Sequence, residues 1–256
     1  MTTSQELLQA KLISEELVKR NPVQVLETTP AEITEELKAF CIDLCWSEPA
    51  FIPVQPDQDG MYGFCNLTVV EKIKKEGGKP VHGWTIWEWP GVFWTAEFHM
   101  VWEDSNGDLI DVTPKPDGET SILFLRDFSF EPDFDFLNRP VSRRKRIRAD
   151  EDRTVAVATA ISKLNTSQRT YEETRATKAG ISLEEWMDNK LPRDELNKLI
   201  DDTIQACHEH EVYFDSRKNG VFIRTNQTLQ NLIERRKAKM AQLKLAIAKA
   251  KALITE

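Results

Sequence analysis

The sequence predicts an α+β fold in which an antiparallel sheet packs on a helix that begins at a cysteine, followed by an all-helical region. Three observations carry this. Hydrophobic residues alternate with period two from Val81 onward and return to helical spacing after about residue 150. A loop holding Gly60 and Gly63 runs directly into Cys65 and the helical pattern NLTVVEKIKKE. Charge divides at the same place: residues 1–140 carry 11 basic and 25 acidic side chains and residues 141–256 carry 23 and 17, within a net charge of −8. An acidic front and a basic back suggest two modules in different surroundings.

Residues 5–19 and 31–46 read as amphipathic helices, the second begun by Thr29-Pro30. Ile33, Leu37, Phe40, Cys41, Leu44 and Cys45 share one face of it, which assigns both cysteines to packing. The Pro- and Gly-marked stretch SEPAFIPVQPDQDGMYG has room for one short strand, 51–54. Residues 66–76 form the next helix, ended by Gly77-Gly78. Strands follow at 81–89, 92–103, 109–113 and 121–125, with a turn at Asp104-Ser105-Asn106-Gly107. In the long strand Val92, Trp94, Ala96, Phe98, Met100 and Trp102 make one face; Phe93, Thr95, Glu97, His99, Val101 and Glu103 make the other.

Residues 128–140 are an aromatic–acidic loop expected to wrap this first domain, 1–140. A basic linker, 141–152, contains Arg143-Arg144-Lys145-Arg146-Ile147-Arg148. Beyond it, 153–256 is expected to be a helical unit with helices at 154–164, 183–189, 194–209 and 225–254. In the last, Leu229, Ile233, Arg236, Met240, Leu243, Ile247, Ala250 and Ile254 form a heptad seam. Its short span and its Arg236 favour packing within the chain, with self-association as the alternative.

Composition narrows the function classes. Thirty per cent charged residues and no apolar run near the roughly 18 residues of a bilayer span speak against a membrane protein. The N-terminus is charged throughout and lacks a central apolar stretch, so no secretory signal is read and a cytoplasmic, reducing compartment is expected. Cys41, Cys45, Cys65 and Cys207 suggest no disulfide framework. Cys207-His208-Glu209-His210, with Asp215, lacks a closed four-ligand pattern and reads as a helix-end cluster, and nothing calls for a cofactor. Nucleic acid is a minor reading of the 143–148 run, because the acidic front half can neutralise it.

The chemistry-bearing set is Cys65, His99 and Asp111. A cysteine at a helix start meets unpaired backbone N–H groups and the positive end of the helix dipole, which favour negative charge on sulfur and on an oxyanion. A base must move the proton, and a third group must orient the base. The hairpin register decides whether Asp111 can do so. A two-residue Asn106-Gly107 turn sends Asp111 to the face away from His99; a three-residue loop with Gly107 left-handed sets it opposite Val101, diagonally beside His99. Glu97 is an alternative orienting group and His82 an alternative base, while Gln55, Gln58 and Trp46 are upstream candidates for a second oxyanion donor.

Gly63-Phe64-Cys65 before a helix, Gly83-Trp84, His99 in EFHMVWED and Asp111-Val112-Thr113-Pro114 together resemble the transglutaminase-like core, related to the papain-like cysteine enzymes, over about residues 60–125. The tryptophan after His99 stands at three residues where that pattern has two, and Val112 stands where it has proline. The resemblance implies a Cys65–His99–Asp111 triad acting on a peptide or protein amide through a thioester, as a peptidase, amidase or deamidase. Acyl transfer to an amine is less economical, since no D-x-D-x-D-G calcium loop is present. The competing reading is a non-catalytic binding module, with Trp84, Trp87, Trp89, Trp94 and Trp102 as a binding face and the helical tail mediating assembly.

Overall fold

A computed structural model describes residues 4–20, 26–149, 152–192, 194–219 and 222–254. In chain order the elements are α1 (Ser4–Arg20), α2 (Glu35–Leu44), β1 (Ala50–Pro53), α3 (Cys65–Glu76), β2 (Lys79–Trp89), β3 (Phe93–Glu103), β4 (Leu109–Ile110), β5 (Ser121–Arg126), β6 (Arg143–Arg146), α4 (Arg153–Ser162), α5 (Thr166–Ala179), α6 (Leu183–Lys190), α7 (Glu195–Ser216), β7 (Lys218–Asn219), β8 (Phe222–Ile223) and α8 (Gln227–Ile254). The fold is α+β, with a six-stranded antiparallel sheet in the order β1-β5-β2-β3-β4 and β6 also on β3. Val92, expected to open the long strand, sits in the turn before β3.

The period-two pattern of β2 and β3 gives the sheet two apolar faces, and different helices cover them. On one face Leu37, Phe40 and Cys41 of α2 pack on Trp84, Ile86, Trp94, Ala96 and Phe98. Phe130, Phe134 and Phe136 close over Phe98, with ring centroids at 4.7, 5.9 and 5.7 Å, so the aromatic–acidic loop does wrap this core. Beside them α3 lays Cys65 and Val69 on Met100, Trp102 and Val112. The other face receives α7 and α8: Ile200 and Leu243, both fully buried, pack on Trp89, Val92 and Phe93.

The stretch expected as a linker differs from that expectation. Residues 143–146 form β6, paired with β3 from Phe93↔Arg146 to Ala96↔Arg143; residues 150 and 151 of the stretch lie outside those described. Its basic charge is met by acids of α7 and its N-cap, and by Asp43 of α2, which lies 3.6 Å from Lys145. Arg144 makes a bidentate pair with Glu211 at 2.9 and 2.7 Å, and Arg146 and Arg148 reach Asp201 and Asp194 at 3.0 Å. Alternation along the strand aims Arg144 and Arg146 the same way, which composition alone does not reveal.

The helical region is consequently divided. Helices α4, α5 and α6 pack on one another, with Arg153 bound to Asp188, whereas α7 and α8 belong to the sheet. The ion pairs Arg235–Glu209 and Lys239–Asp202 run in opposite chain directions, so α7 and α8 are antiparallel. Leu229 and Leu243 of the heptad seam are buried, and Met240 and Ile247 join the cluster with Ile200. The seam is thus engaged inside the chain; the side chain of Ile254 lies outside those described.

Gly83 of β2 stands directly opposite His99 of β3. A Cβ there would lie 2.2 Å from the Leu125 carbonyl oxygen and 2.7 Å from Phe124 Cζ. Neighbouring backbone cannot yield cheaply, so Gly83→Ala should lower stability by about 2 kcal/mol or more. Urea denaturation followed by far-UV circular dichroism measures this; an unchanged midpoint would mean that β2 and β5 can part at no cost.

Candidate active site

The site is assembled from the turn that leads into α3. Gly63 has φ 81°, a left-handed conformation that favours glycine, and it lets the chain reverse before Phe64, the N-cap residue. Phe64 offers no side-chain cap. The Thr68 hydroxyl instead binds the turn, accepting the Met61 N–H at 2.9 Å and donating to the Phe64 carbonyl at 3.0 Å. Cys65 is therefore the first residue of a helix whose leading N–H groups no side chain takes, the setting that favours negative charge.

The second part is the β3–β4 hairpin. Trp102 faces Ile110 and Glu103 faces Leu109, and the Asp104 N–H donates to the Asp108 carbonyl at 3.0 Å. This is the three-residue loop, with Gly107 at φ 91°. The register brings Asp111 beside His99. The Asp111 N–H donates to the Pro53 carbonyl at 3.0 Å and its own carbonyl accepts the Gln55 N–H at 2.9 Å, so its backbone is fixed from the β1 side.

The Asp111 side chain is fully buried and fully used. Its Oδ1 accepts the Thr113 N–H at 2.9 Å, and its Oδ2 lies 3.0 Å from His99 Nε2 and 2.7 Å from Lys115 Nζ. With Nε2 committed to Asp111, Nδ1 is the ring nitrogen left for another partner. Burial pulls the His99 pKa down, but the Asp111 carboxylate, assisted by Cys65, overrides this and raises it to about 10; Lys115 opposes the rise. Burial tends to raise the Asp111 pKa, yet His99 and Lys115 hold it well below the usual carboxylate range.

Cys65 and His99 line one cavity of about 480 Å³, shared with Tyr62, Trp87, Glu97, Thr113, Lys115 and the Arg144–Glu211 pair. On the outer edge of β3, β6 pairs with residues 93–96 and β4 with 102–103, leaving 97–101 unpaired there. That gap lets Cys65, packed against Met100 on one face, reach a cavity into which His99 projects from the other. No hydrogen bond joins Cys65 and His99 among the described residues.

The alternatives are placed elsewhere. His82 lies on the Met100 face among Phe98, Phe134 and Phe136, its pKa lowered by burial. Glu97 accepts from the Trp87 indole at 3.2 Å and makes no bond to His99. Gln55, Gln58 and Trp46 are exposed, Trp46 at 94%, and none lines the cavity. Burial raises the Cys41 and Cys45 thiols to about 12. Cys207 is buried near Arg144 while Glu209 pairs with Arg235, and no group of three or more His, Cys, Asp or Glu among the described residues is arranged to hold a metal. Sequence reasoning missed Lys115 and Tyr62; a base four residues after Asp111 in an acidic stretch was the available signal for the first.

No family model, curated protein or solved structure matches this chain. None of the described helices is long and apolar enough to cross a membrane.

The buried pair has a definite pH signature. His99 is raised above its unfolded value of 6.5, so its contribution to stability is fully present below about pH 6.5 and is lost as pH rises through about 10. Histidine NMR should show a ring that stays protonated past pH 8 in the unaltered protein. In Asp111→Asn, burial and Lys115 are opposed by Cys65 alone, and the same ring should titrate well below its value in the unaltered protein. A His99 resonance titrating near 6.5 in both proteins would mean that Asp111 does not hold the proton on the ring.

Proposed function

We propose that this chain is a cysteine-dependent enzyme acting on a peptide or protein amide, as the transglutaminase-like and papain-like enzymes that its core resembles do. The Cys65 sulfur, having passed its proton to His99, attacks the carbonyl carbon. Negative charge moves to the oxygen, beside the leading N–H groups of α3. His99 returns the proton to the leaving nitrogen, the C–N bond breaks, and a thioester forms on Cys65. Asp111 holds the imidazole through Nε2, keeping Nδ1 for the proton transfer. Water resolves the thioester by hydrolysis or deamidation; a primary amine resolves it by acyl transfer.

One observation carries this reading: a buried, charge-paired His99 and a helix-leading Cys65 line the same cavity. The absence of a hydrogen bond between them is compatible with it, because such bonds often tighten only when substrate is bound. The test is alkylation of the full chain by iodoacetamide at pH 5.5, with sites mapped by mass spectrometry. Cys65 should react at least about tenfold faster than Cys41 or Cys45, whose thiols burial raises to about 12. Equal or slower reaction at Cys65 would remove the nucleophile from the proposal.

A further inference from the structure

We infer that the cavity beside Cys65 and His99 is a subsite for a cationic side chain, the lysine or arginine of a peptide whose adjoining amide is the group attacked. The inference deepens the reading above and rests on it.

The charge lining the cavity is unbalanced. Glu27, Glu97, Asp117, Glu119 and Glu211 face it, against Lys115, Arg144 and the charged His99. All three cations are already committed, Lys115 and His99 to Asp111 at 2.7 and 3.0 Å and Arg144 to Glu211 at 2.9 and 2.7 Å. Glu27, Glu97 and Glu119 form no ion pair among the described residues, so the wall holds a negative surplus in a half-enclosed space. Burial raises the Glu27 pKa, and Glu97 and Glu211 push the same way against Arg144. An incoming cation would relieve that crowding.

Position and shape fit such a guest. Glu97 lies two residues before His99 on the same strand face, about 7 Å along β3. That is close to the reach of an extended lysine or arginine side chain from its own backbone. The Trp87 indole donates to Glu97 at 3.2 Å, and the Thr29 N–H donates to Glu119 at 3.2 Å, so both carboxylates are held in place. Tyr62 offers ring surface for the aliphatic stem, while the Trp87 ring already carries the Lys115 ammonium at 5.7 Å. An independent sign of a missing guest is the pair Thr95 and Thr113, lining residues only 4% and 3% exposed, whose buried hydroxyls have no hydrogen-bond partner. A buried hydroxyl left unpaired is costly, and a peptide N–H or carbonyl at that point would satisfy it.

The test uses the full chain and two peptidyl chloromethyl ketones that differ only in the residue bearing the ketone, arginine or its neutral isostere citrulline. In each, the Cys65 sulfur forms the C–S bond and chloride leaves, and the extent is read by mass spectrometry. The arginine reagent should alkylate Cys65 at least about tenfold faster at low salt, the size expected of a charge-assisted contact. The ratio should fall towards one in Glu97→Gln/Glu119→Gln, and in the unaltered protein at about 1 M salt, where the Debye length is about 3 Å. The salt series keeps the test open should the double variant fold poorly. Equal rates for the two reagents, or a faster citrulline reagent, overturn the subsite while leaving the cysteine-enzyme reading intact. Failure of Cys65 to react with either reagent and with iodoacetamide overturns both.

Discussion

Cys65→Ala should abolish amide turnover, by about 10⁴-fold or more, while the protein keeps its fold. The two halves of that expectation have separate origins. Cys65 is only 8% exposed and packs with Val69, Met100 and Val112, but alanine removes a single sulfur from this cluster. The structural cost is about 1 kcal/mol. The chemical cost is the loss of the only atom proposed to form the thioester, and groups that act as a unit lose nearly everything when one is removed. His99→Ala should be almost as damaging to turnover, and the structure explains why it too should fold. Asp111 would lose one cation but keep Lys115 at 2.7 Å and the Thr113 N–H at 2.9 Å, so its charge would not be stranded. The measurement is turnover per folded molecule, with folding monitored by near-UV circular dichroism. Retention of more than about a hundredth of the activity by Cys65→Ala would sink the enzyme reading and leave the binding-module reading in its place.

What could be read beforehand follows a physical line. The order Cys65, His99, Asp111 and their carriers were legible because helix starts and strand alternation are local properties of the chain. The register was legible in part. Gly107 permits a left-handed residue and so the three-residue loop, but the bonds that commit Asp111 to Pro53 and Gln55 come from the end of β1 and the residues just after it, far off in sequence. Lys115 was missed because a lysine after a turn looks solvated; only the fold shows it 10% exposed and on a carboxylate. Composition alone marks the 143–148 run as a linker. Its alternation was a strand signal, but the acids that make a buried Arg144 affordable lie on α7, about 67 residues on. Helix α5 carries a capping box at Asn165 and Gln168, a local signal that a polar helix with little apolar face does not advertise.

Lys115 changes what removal of Asp111 should do. With histidine as its sole partner, Asp111→Asn would be a mild lesion: the amide fills the space, and His99 goes neutral. Here Oδ2 also compensates an ammonium whose side chain is only 10% exposed and is packed over the Trp87 ring. Breaking a buried charge network from one side costs about 3–5 kcal/mol, because the remaining charge is stranded. Asp111→Ala should fall in that range, and Asp111→Asn, which can still accept the Thr113 N–H, somewhat below it. Adding Lys115→Met should recover a large part of the loss in either background without restoring turnover, since the stranded charge is gone but the imidazole is still unheld. The sign with pH is fixed. The Asp111 pKa is depressed in the folded state, so its contribution is present above the unfolded value of 3.8 and fades as pH falls through the folded one. The stability gap between the unaltered protein and Asp111→Asn should therefore narrow as the medium becomes strongly acidic. Urea denaturation of the four proteins of the Asp111→Ala, Lys115→Met cycle gives the coupling directly. A coupling below about 0.5 kcal/mol, with Asp111→Ala costing less than about 1 kcal/mol, would mean that the three groups sit together without depending on one another.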